Sequence, residues 1–292
     1  AQSGTTYAVV YGVIGRNVAP EKRSWAMGVA AAAGSFGQFL MVPVESWLIG
    51  HWGWQSALFV LGCAALAIAP LALGLKEPDQ AHTAHSGPRQ SVGVALREAL
   101  GSSSFRWLTA GYFVCGFQVV FIGVHMPSYL KDHGLEPSVA TTALALIGLF
   151  NVFGTYAAGV LGAKLPKRHI LSTIYALRSV AIVVFLAVPL TPWSVYVFAA
   201  VMGFLWLSTV PPTNAIVAQV FGVQYMSMLG GIVFFSHQTG SFFGGWGGGR
   251  VFDLQGNYDL MWWISIALGL ASAALHWPIV EKPVARPALA AA

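Results

Sequence analysis

The chain has 292 residues, of which 56% are hydrophobic and only 9% are charged, and its formal net charge is +5. A water-soluble domain carries about 25% charged residues, so this chain lacks the polar surface that a globule in water needs. The basic residues lie in short loops and form no basic face, which argues against nucleic-acid binding. We therefore expect the lipid bilayer to be the main solvent of this protein.

Apolar runs occupy most of the sequence. A spanning helix needs about 20 apolar residues to cross about 30 Å of hydrocarbon. Such runs cover residues 1–15 (a short one), 25–50, 54–75, 105–130, 138–163, 170–190, 193–220, 228–249 and 258–280. Lipid offers no hydrogen-bond partner to a free backbone, so each run should be helical. The sequence predicts an all-α membrane protein.

One long stretch, residues 76–104, has no strong apolar bias and contains the helix breakers Pro78, Gly87, Pro88 and Gly101. We interpret it as a central cytoplasmic loop between two parts of a transporter. Residues 1–75 would form a partial N-terminal half, and residues 105–292 would form a C-terminal bundle of six helices.

The loops differ in charge on the two sides of the predicted bundle. When alternate loops are assigned to alternate sides, one side collects most of the 15 lysines and arginines. The other side has only Lys131 and Arg250, while Arg178 lies within a run. The positive-inside rule makes the first side cytoplasmic, with the C-terminus inside and residue 1 outside. If the native N-terminus lies inside, an outside start predicts that an odd number of helices precedes residue 1.

Three segments carry a family resemblance. They are Gly15-Arg16 followed by Pro20-Glu21-Lys22-Arg23-Ser24, then Cys115-Gly116-Phe117-Gln118 with His125-Met126-Pro127, and Ser236-His237-Gln238 with Gly240-Ser241-Phe242. They resemble the passage from the fourth to the fifth helix, the seventh helix and the eleventh helix of major facilitator superfamily transporters. Within that superfamily, the segment from Cys115 to Pro127 resembles the seventh helix of the bacterial monocarboxylate and oxalate/formate-like branch.

The resemblance implies the major facilitator fold with about nine of its twelve transmembrane helices, the first three lying before residue 1. It implies a secondary transporter of a small organic solute, favouring an organic anion, by symport or antiport in a bacterial inner (plasma) membrane. No cofactor and no metal are expected. The sequence departs from the branch in two places: residues 162–168 carry no acidic residue, and the run 138–163 has no charged residue.

Two ionisable residues lie in the middle of apolar runs and are functional candidates, because a buried charge in lipid is costly. His237 could bind solute and carry a proton, or it could be a neutral histidine bonded to a neighbouring helix. Arg178 could bind an anion, but the resembled family's ninth helix is peripheral, which favours a structural role.

Two further candidates lie toward the outer ends of their helices. His125 precedes the helix-bending Pro127 and could act at a gate or contact solute. Glu45 follows Pro43 in the fifth helix of the resembled fold and could accept a proton, although a carboxylate at the outer rim is the simpler interpretation.

Five side-chain amides also fall within apolar runs, and they are Gln38, Gln118, Asn151, Asn214 and Gln238. Each could contact a polar solute, or could bond two helices together with about 0.6–2 kcal/mol. As a set they predict a wet interior cavity. In the same region Gly240, Gly244 and Gly248 recur every four residues, which predicts close contact with a neighbouring helix.

Three functions stay open at this point. Secondary transport, with two bundles rocking about a central site and protons as the coupling ion, fits best. An intramembrane enzyme is the second hypothesis, but no HExxH, GxSxG or paired carboxylates occur in the apolar runs. A non-transporting sensor or partner subunit is the third. No ATP-binding P-loop is present in the sequence, so direct use of ATP is not supported.

Overall fold

The structure is a computed structural model that describes residues 7–72 and 91–284. Within these two ranges the chain forms helices and no strand. The helices are α1 Tyr7–Asn17, α2 Pro20–Ala65, α3 Ile68–Ala72, α4 Val92–Gly101, α5 Ser103–Asp132, α6 Pro137–Lys164, α7 Lys167–Ala187, α8 Pro192–Leu205, α9 Val210–Phe221, α10 Met226–Gln255 and α11 Asp259–His276.

Membrane-spanning helices dominate the described part of the chain. Six segments there are long and apolar enough to cross a bilayer: Pro20–Leu71, Ser103–Asp132, Pro137–Lys164, Lys167–Ala187, Pro192–Phe221 and Asp259–His276. The glycine-rich α10 is 30 residues long but is not among the six. These segments confirm the predicted all-α membrane architecture, with Ala1–Thr6 of the first run outside the described residues.

The first of these segments holds two of the predicted runs. Gly53 separates them, with a positive φ of 75° and a ψ of 164° that interrupt α2. Glycine adopts this backbone conformation without the steric cost that a side chain would add. A segment of 52 residues would also be far longer than about 30 Å of hydrocarbon requires. The break lies between the predicted runs 25–50 and 54–75.

A short helix, α4, lies in the stretch predicted as a loop. The Ser91 side chain accepts a hydrogen bond from the Val94 N–H and so caps the start of the helix. Ala95 and Ala99, one turn apart, are buried. Residues 92–101 of the predicted central loop therefore form a short packed helix, because a cap and a small apolar stripe suffice for one. Residues 73–90 of the same stretch lie outside the described residues.

The predicted run 193–220 is not one helix. It is divided between α8, which ends at Leu205, and α9, which begins at Val210. Pro211 and Pro212 follow the interruption. Because proline has no N–H, neither residue can donate the hydrogen bond that would continue the helix across the gap. The prediction of a continuous helix was wrong here, and the two prolines are the reason.

Close helix pairs form the core. The predicted glycine contact is confirmed between α10 and α5, because a Cβ on Gly240 or Gly244 would overlap the backbone of Phe113 or Phe117. A second close pair joins α2 to α6, where a Cβ on Gly28 would lie 2.7 Å from the Gly159 Cα atom. In each pair the absent side chains allow the two backbones to approach each other.

Residues 277–284, which follow α11, cross the ends of three helices, and we name this segment the C-terminal strap. Ile279, within the strap, is fully buried. The Glu281 carboxylate accepts the Arg168 N–H at 2.7 Å, and the Val284 N–H donates to the Val220 carbonyl at 2.9 Å. Ser104 at the start of α5 bonds to Val280. The strap therefore ties the ends of α5, α7 and α9 together.

Candidate functional site

His237 lies at the centre of a buried aromatic cluster on α10 and is only 7% exposed. Its ring stacks on Phe234 at 5.3 Å and lies 5.1 Å from the Tyr112 ring. The Nδ1 atom lies 3.2 Å from the Gln238 Oε1 atom, so a protonated Nδ1 would donate to that oxygen. The two residues that the sequence singled out here, His237 and Gln238, therefore interact directly.

The second ring nitrogen of His237 is the chemically open position. Among the described residues its Nε2 atom makes no hydrogen bond, although it is buried. The Cys115 thiol is near enough to interact electrostatically with the imidazole, but without the geometry of a good hydrogen bond. A buried ring nitrogen without a partner is costly, so a solute, a proton or a water molecule would be stabilised at this position.

Tyrosines extend this polar region toward α1. Tyr11 and Tyr7 pack ring to ring at 5.3 Å, and both are close enough to Tyr112 to interact electrostatically with it. The Tyr11 hydroxyl is buried and has no partner among the described residues. Helix α1 also packs along α10. The region around His237 is therefore enclosed by α1, α5 and α10, and we name it the histidine cluster.

A second polar group surrounds the interruption between α8 and α9. Arg178 of α7 is completely buried and donates from Nε and Nη2 to the Leu205 carbonyl, at 3.1 and 2.7 Å. Nη2 also makes a short contact with the Trp206 carbonyl. The guanidinium lies 5.2 Å from the centre of the Tyr175 ring. Arg178 thus meets the carbonyl end of α8.

Neutral side chains complete this group, which we name the helix-break cluster. Arg178 Nη1 donates to Gln118 Oε1 at 3.4 Å, and Gln118 Nε2 donates to the Ser265 carbonyl at 2.9 Å. Asn151 Oδ1 accepts the Leu207 N–H at 2.9 Å. The structure therefore brings together three predicted residues, Arg178, Gln118 and Asn151, around a feature that the sequence analysis did not predict.

Cys115 connects the two clusters. Its sulfur lies 3.3 Å from the Thr209 Oγ1 atom and 3.8 Å from Arg178 Nη2. The sequence analysis named Cys115 only as part of the motif that resembles the seventh helix, and it did not single out Thr209 or Tyr112. The Pro211-Pro212 pair inside an apolar run was the signal that could have revealed the helix break and its neighbours.

The other predicted residues lie apart from these clusters. His125 Nε2 is 2.8 Å from the Gly245 carbonyl, and its ring lies 5.3 Å from Tyr258, so it contacts α10 and the turn before α11. Asn214 is buried and donates to the Val210 carbonyl of its own helix at 3.0 Å. Both residues therefore have partners within the protein.

Gln38 and Glu45 lie on α2 and are half-buried. Gln38 belongs to the part of α2 that packs on Gly148 of α6. Glu45 lies on a largely exposed section of the helix, next to Val44 at 45% and near Trp47 at 52% exposure. Because α2 packs chiefly on α6 whereas α10 packs chiefly on α5, Glu45 and His237 are not brought together.

A large apolar cleft of about 800 Å³ lies on the outer surface between α6, α7 and α8. Its lining includes Phe150, Val184, Trp193 and Val201, and Ser194 is the one residue with a polar side chain. This composition matches lipid chains better than a polar solute. We therefore place the candidate solute site at the histidine cluster and not in this cleft.

Comparison with known families agrees with the helical architecture and the polar interior. The sequence profile of the Major Facilitator Superfamily matches residues 1–245. The chain belongs to this superfamily. It is therefore a multi-pass integral membrane protein, and its family and fold point to transport rather than to catalysis.

The chain matches curated members of the superfamily over part of their length. An uncharacterised MFS-type transporter of Bacillus subtilis, YcxA, is 27% identical over 271 residues, which cover 89% of this chain and 65% of that protein. Monocarboxylate transporter 13 of Rattus norvegicus is 24% identical over 262 residues, which cover 87% of this chain and 59% of that protein. The chain thus spans about six-tenths of the length of these relatives.

A solved structure supports the same fold. The proton:xylose symporter XylE, bound to 6-bromo-6-deoxy-D-glucose, superposes with a TM-score of 0.66 and covers 94% of this chain and 69% of that one. The two sequences are 15% identical, so this likeness concerns the fold alone. The expected major facilitator fold is confirmed.

Proposed function

We propose that this protein acts within a proton-coupled secondary transporter of a small polar organic solute. The observation that carries the proposal is the histidine cluster, where the Nε2 atom of His237 is buried without a hydrogen-bond partner among the described residues. A histidine changes charge near neutral pH, so it can exchange a proton as the site opens to one side and then to the other. His237 would be the proton carrier, with Gln238 bonded to its other nitrogen.

Two relatives suggest which solutes to test first. One is called a monocarboxylate transporter, and the solved structure belongs to a proton:xylose symporter. We propose an organic anion such as a monocarboxylate before a sugar, because the monocarboxylate transporter is 24% identical to this chain whereas the xylose symporter is 15% identical. The division into a partial N-terminal half, a central loop and a six-helix bundle, and a bacterial inner membrane as the location, are parts of the same proposal.

The test uses the protein expressed from its whole gene and reconstituted in liposomes that contain a pH-sensitive dye. We expect addition of lactate or another small monocarboxylate to acidify the lumen, and xylose to serve as the comparison solute. We expect the coupled proton flux of the variant His237→Gln to be at least about tenfold lower than that of the unaltered protein, because a positioned proton donor is removed. His133→Gln, which changes an exposed histidine, is the matched control.

Three results decide between the alternatives. Solute uptake that continues at the same rate after the proton gradient is collapsed would refute proton coupling while leaving transport intact. Equal coupled flux in His237→Gln and in the unaltered protein would refute the role of His237. Failure of every monocarboxylate together with uptake of xylose would refute the organic-anion preference.

A further inference from the structure

The interruption between α8 and α9 leaves backbone groups without their usual helical partners. In a continuous α-helix the carbonyls of Leu205 and Trp206 would accept the N–H groups four residues later. The Val210 N–H instead donates to the Leu207 carbonyl at 2.9 Å. The Trp206 N–H likewise takes the Gly203 carbonyl, at 3.1 Å, that a continuous helix would offer to Leu207.

Side chains of other helices replace these missing partners. Arg178 donates to the carbonyls of Leu205 and Trp206, and Asn151 accepts the Leu207 N–H. Within a membrane, irregular backbone is tolerated only where protein groups or water satisfy it, since each free group costs several kcal/mol. Arg178 and Asn151 therefore supply hydrogen bonds on which the interrupted conformation depends.

This arrangement also stabilises the buried positive charge of Arg178. None of the side-chain or backbone groups to which it donates is a carboxylate. The carbonyl end of a helix carries a partial negative charge of about half an electron, and Arg178 lies at this end of α8. A planar fork can bond two adjacent carbonyls at once, which a lysine ammonium cannot reproduce with the same geometry.

We propose that Arg178 is a positioning residue that holds the α8–α9 interruption open beside the histidine cluster. Cys115 links the interruption to the histidine cluster, because it contacts Thr209 and Arg178 on one side and lies close to His237 on the other. Helix α9 is almost wholly buried and packs on α2. The α8–α9 interruption would therefore set the orientation of α9. The link between this interruption and solute movement rests on the proposed function. The role of Arg178 in holding the interruption does not.

Cys115 provides a reporter that needs no solute. It is completely buried, and Cys63 is the second cysteine of the chain. In a Cys63→Ser background, alkylation of Cys115 by N-ethylmaleimide can be followed by mass spectrometry of its peptide in the purified full-length protein. The rate reports local opening around Thr209, because the thiol becomes accessible only when the surrounding contacts separate.

We expect Arg178→Met and Arg178→Lys each to accelerate Cys115 alkylation at least about tenfold, since neither can bond both carbonyls. Arg250→Met, which removes an exposed arginine, should leave the rate unchanged. A lysine variant that behaves like the unaltered protein would overturn the proposal, because charge alone would then suffice. Unchanged rates in both folded variants would overturn it as well.

A second variant covers the case in which the arginine variants do not fold. Asn151→Leu removes the bond to the Leu207 N–H but leaves the buried cation in place. We expect faster hydrogen exchange in the peptide that contains residues 205–210, together with faster Cys115 alkylation. If both rates equal those of the unaltered protein, the proposal is refuted. Neither measurement depends on transport, so its failure would leave the proposed function standing.

Discussion

At the scale of single residues, several polar side chains serve contacts that their position in the sequence does not reveal. Gln118 is predicted to contact solute, yet both ends of its amide are bonded within the protein, to Arg178 and to the Ser265 carbonyl. His237 differs, because its Nε2 atom has no partner in the described part of the chain. The sequence identified both as polar residues in lipid, but only packing distinguishes a satisfied amide from an open imidazole.

Glu281 in the C-terminal strap leads to a prediction at this scale. Its carboxylate accepts the Arg168 N–H at the start of α7 and lies 3.7 Å from Lys167 Nζ, with 13% and 16% of the two side chains exposed. A carboxylate at a helix N-terminus bonds a free N–H and faces the positive end of the helix. The resembled family often places an acid in the loop before this helix, which residues 162–168 lack.

We expect Glu281→Ala to destabilise the protein by about 1–2 kcal/mol, as loss of a capping side chain does. Lys282→Ala, which changes the exposed neighbour, should change stability by less than about 0.5 kcal/mol. Thermal unfolding in detergent measures both. Equal unfolding temperatures for the two variants would show that the strap carboxylate does not stabilise α7.

At the scale of helices, glycines set how closely α2 and α6 approach. A Cβ on Gly28 would lie 2.7 Å from the Gly159 Cα atom and 3.0 Å from the Thr155 carbonyl oxygen, both on backbone that cannot move aside cheaply. Gly37, on the same helix, has no heavy atom within 4 Å of the same position. The two glycines therefore form a matched pair within one element.

We expect Gly28→Val to cost about 1–3 kcal/mol of stability, because the added side chain would push two packed backbones apart. Gly37→Val should be within about 0.5 kcal/mol of the unaltered protein. The midpoint of thermal unfolding, compared between the two variants, tests this. A Gly37→Val variant as unstable as Gly28→Val would mean that the cost comes from the helix itself and not from the contact with α6.

At the scale of the whole molecule, the charges mark one end of the bundle. Lys164, Lys167, Arg168 and Lys282 line one pocket at that end, together with Glu281. Lys131 lies in the last turn of α5, at the opposite end of the α5–α6 pair from Lys164. From the positive-inside rule we predict that the first end faces the cytoplasm.

Labelling of introduced cysteines tests this orientation. In intact cells a membrane-impermeant maleimide should modify Lys131→Cys, whereas Lys164→Cys should react only after permeabilisation. Both native lysines are exposed, so accessibility within the protein is matched. Reaction of Lys164→Cys alone in intact cells would reverse the proposed orientation.

The sequence by itself determined the solvent of this protein, its helical state, most helix bounds and its superfamily. These properties depend on the mean hydropathy of short segments and on short motifs, and both can be identified in the sequence itself. Even the break between residues 50 and 54 and the glycine face of α10 followed from local spacing. The Pro211-Pro212 pair held a local signal as well, for the interruption of the helix.

Only the tertiary structure decided what satisfies that interruption. Arg178 belongs to α7, Asn151 to α6 and Cys115 to α5, and their contacts depend on how these helices are rotated and on where their axes cross. Hydropathy fixes which segments enter the membrane but not which faces meet there, since lipid and a neighbouring helix are nearly equally apolar. The polar contacts between helices are therefore a property of the packed bundle and not of any one segment.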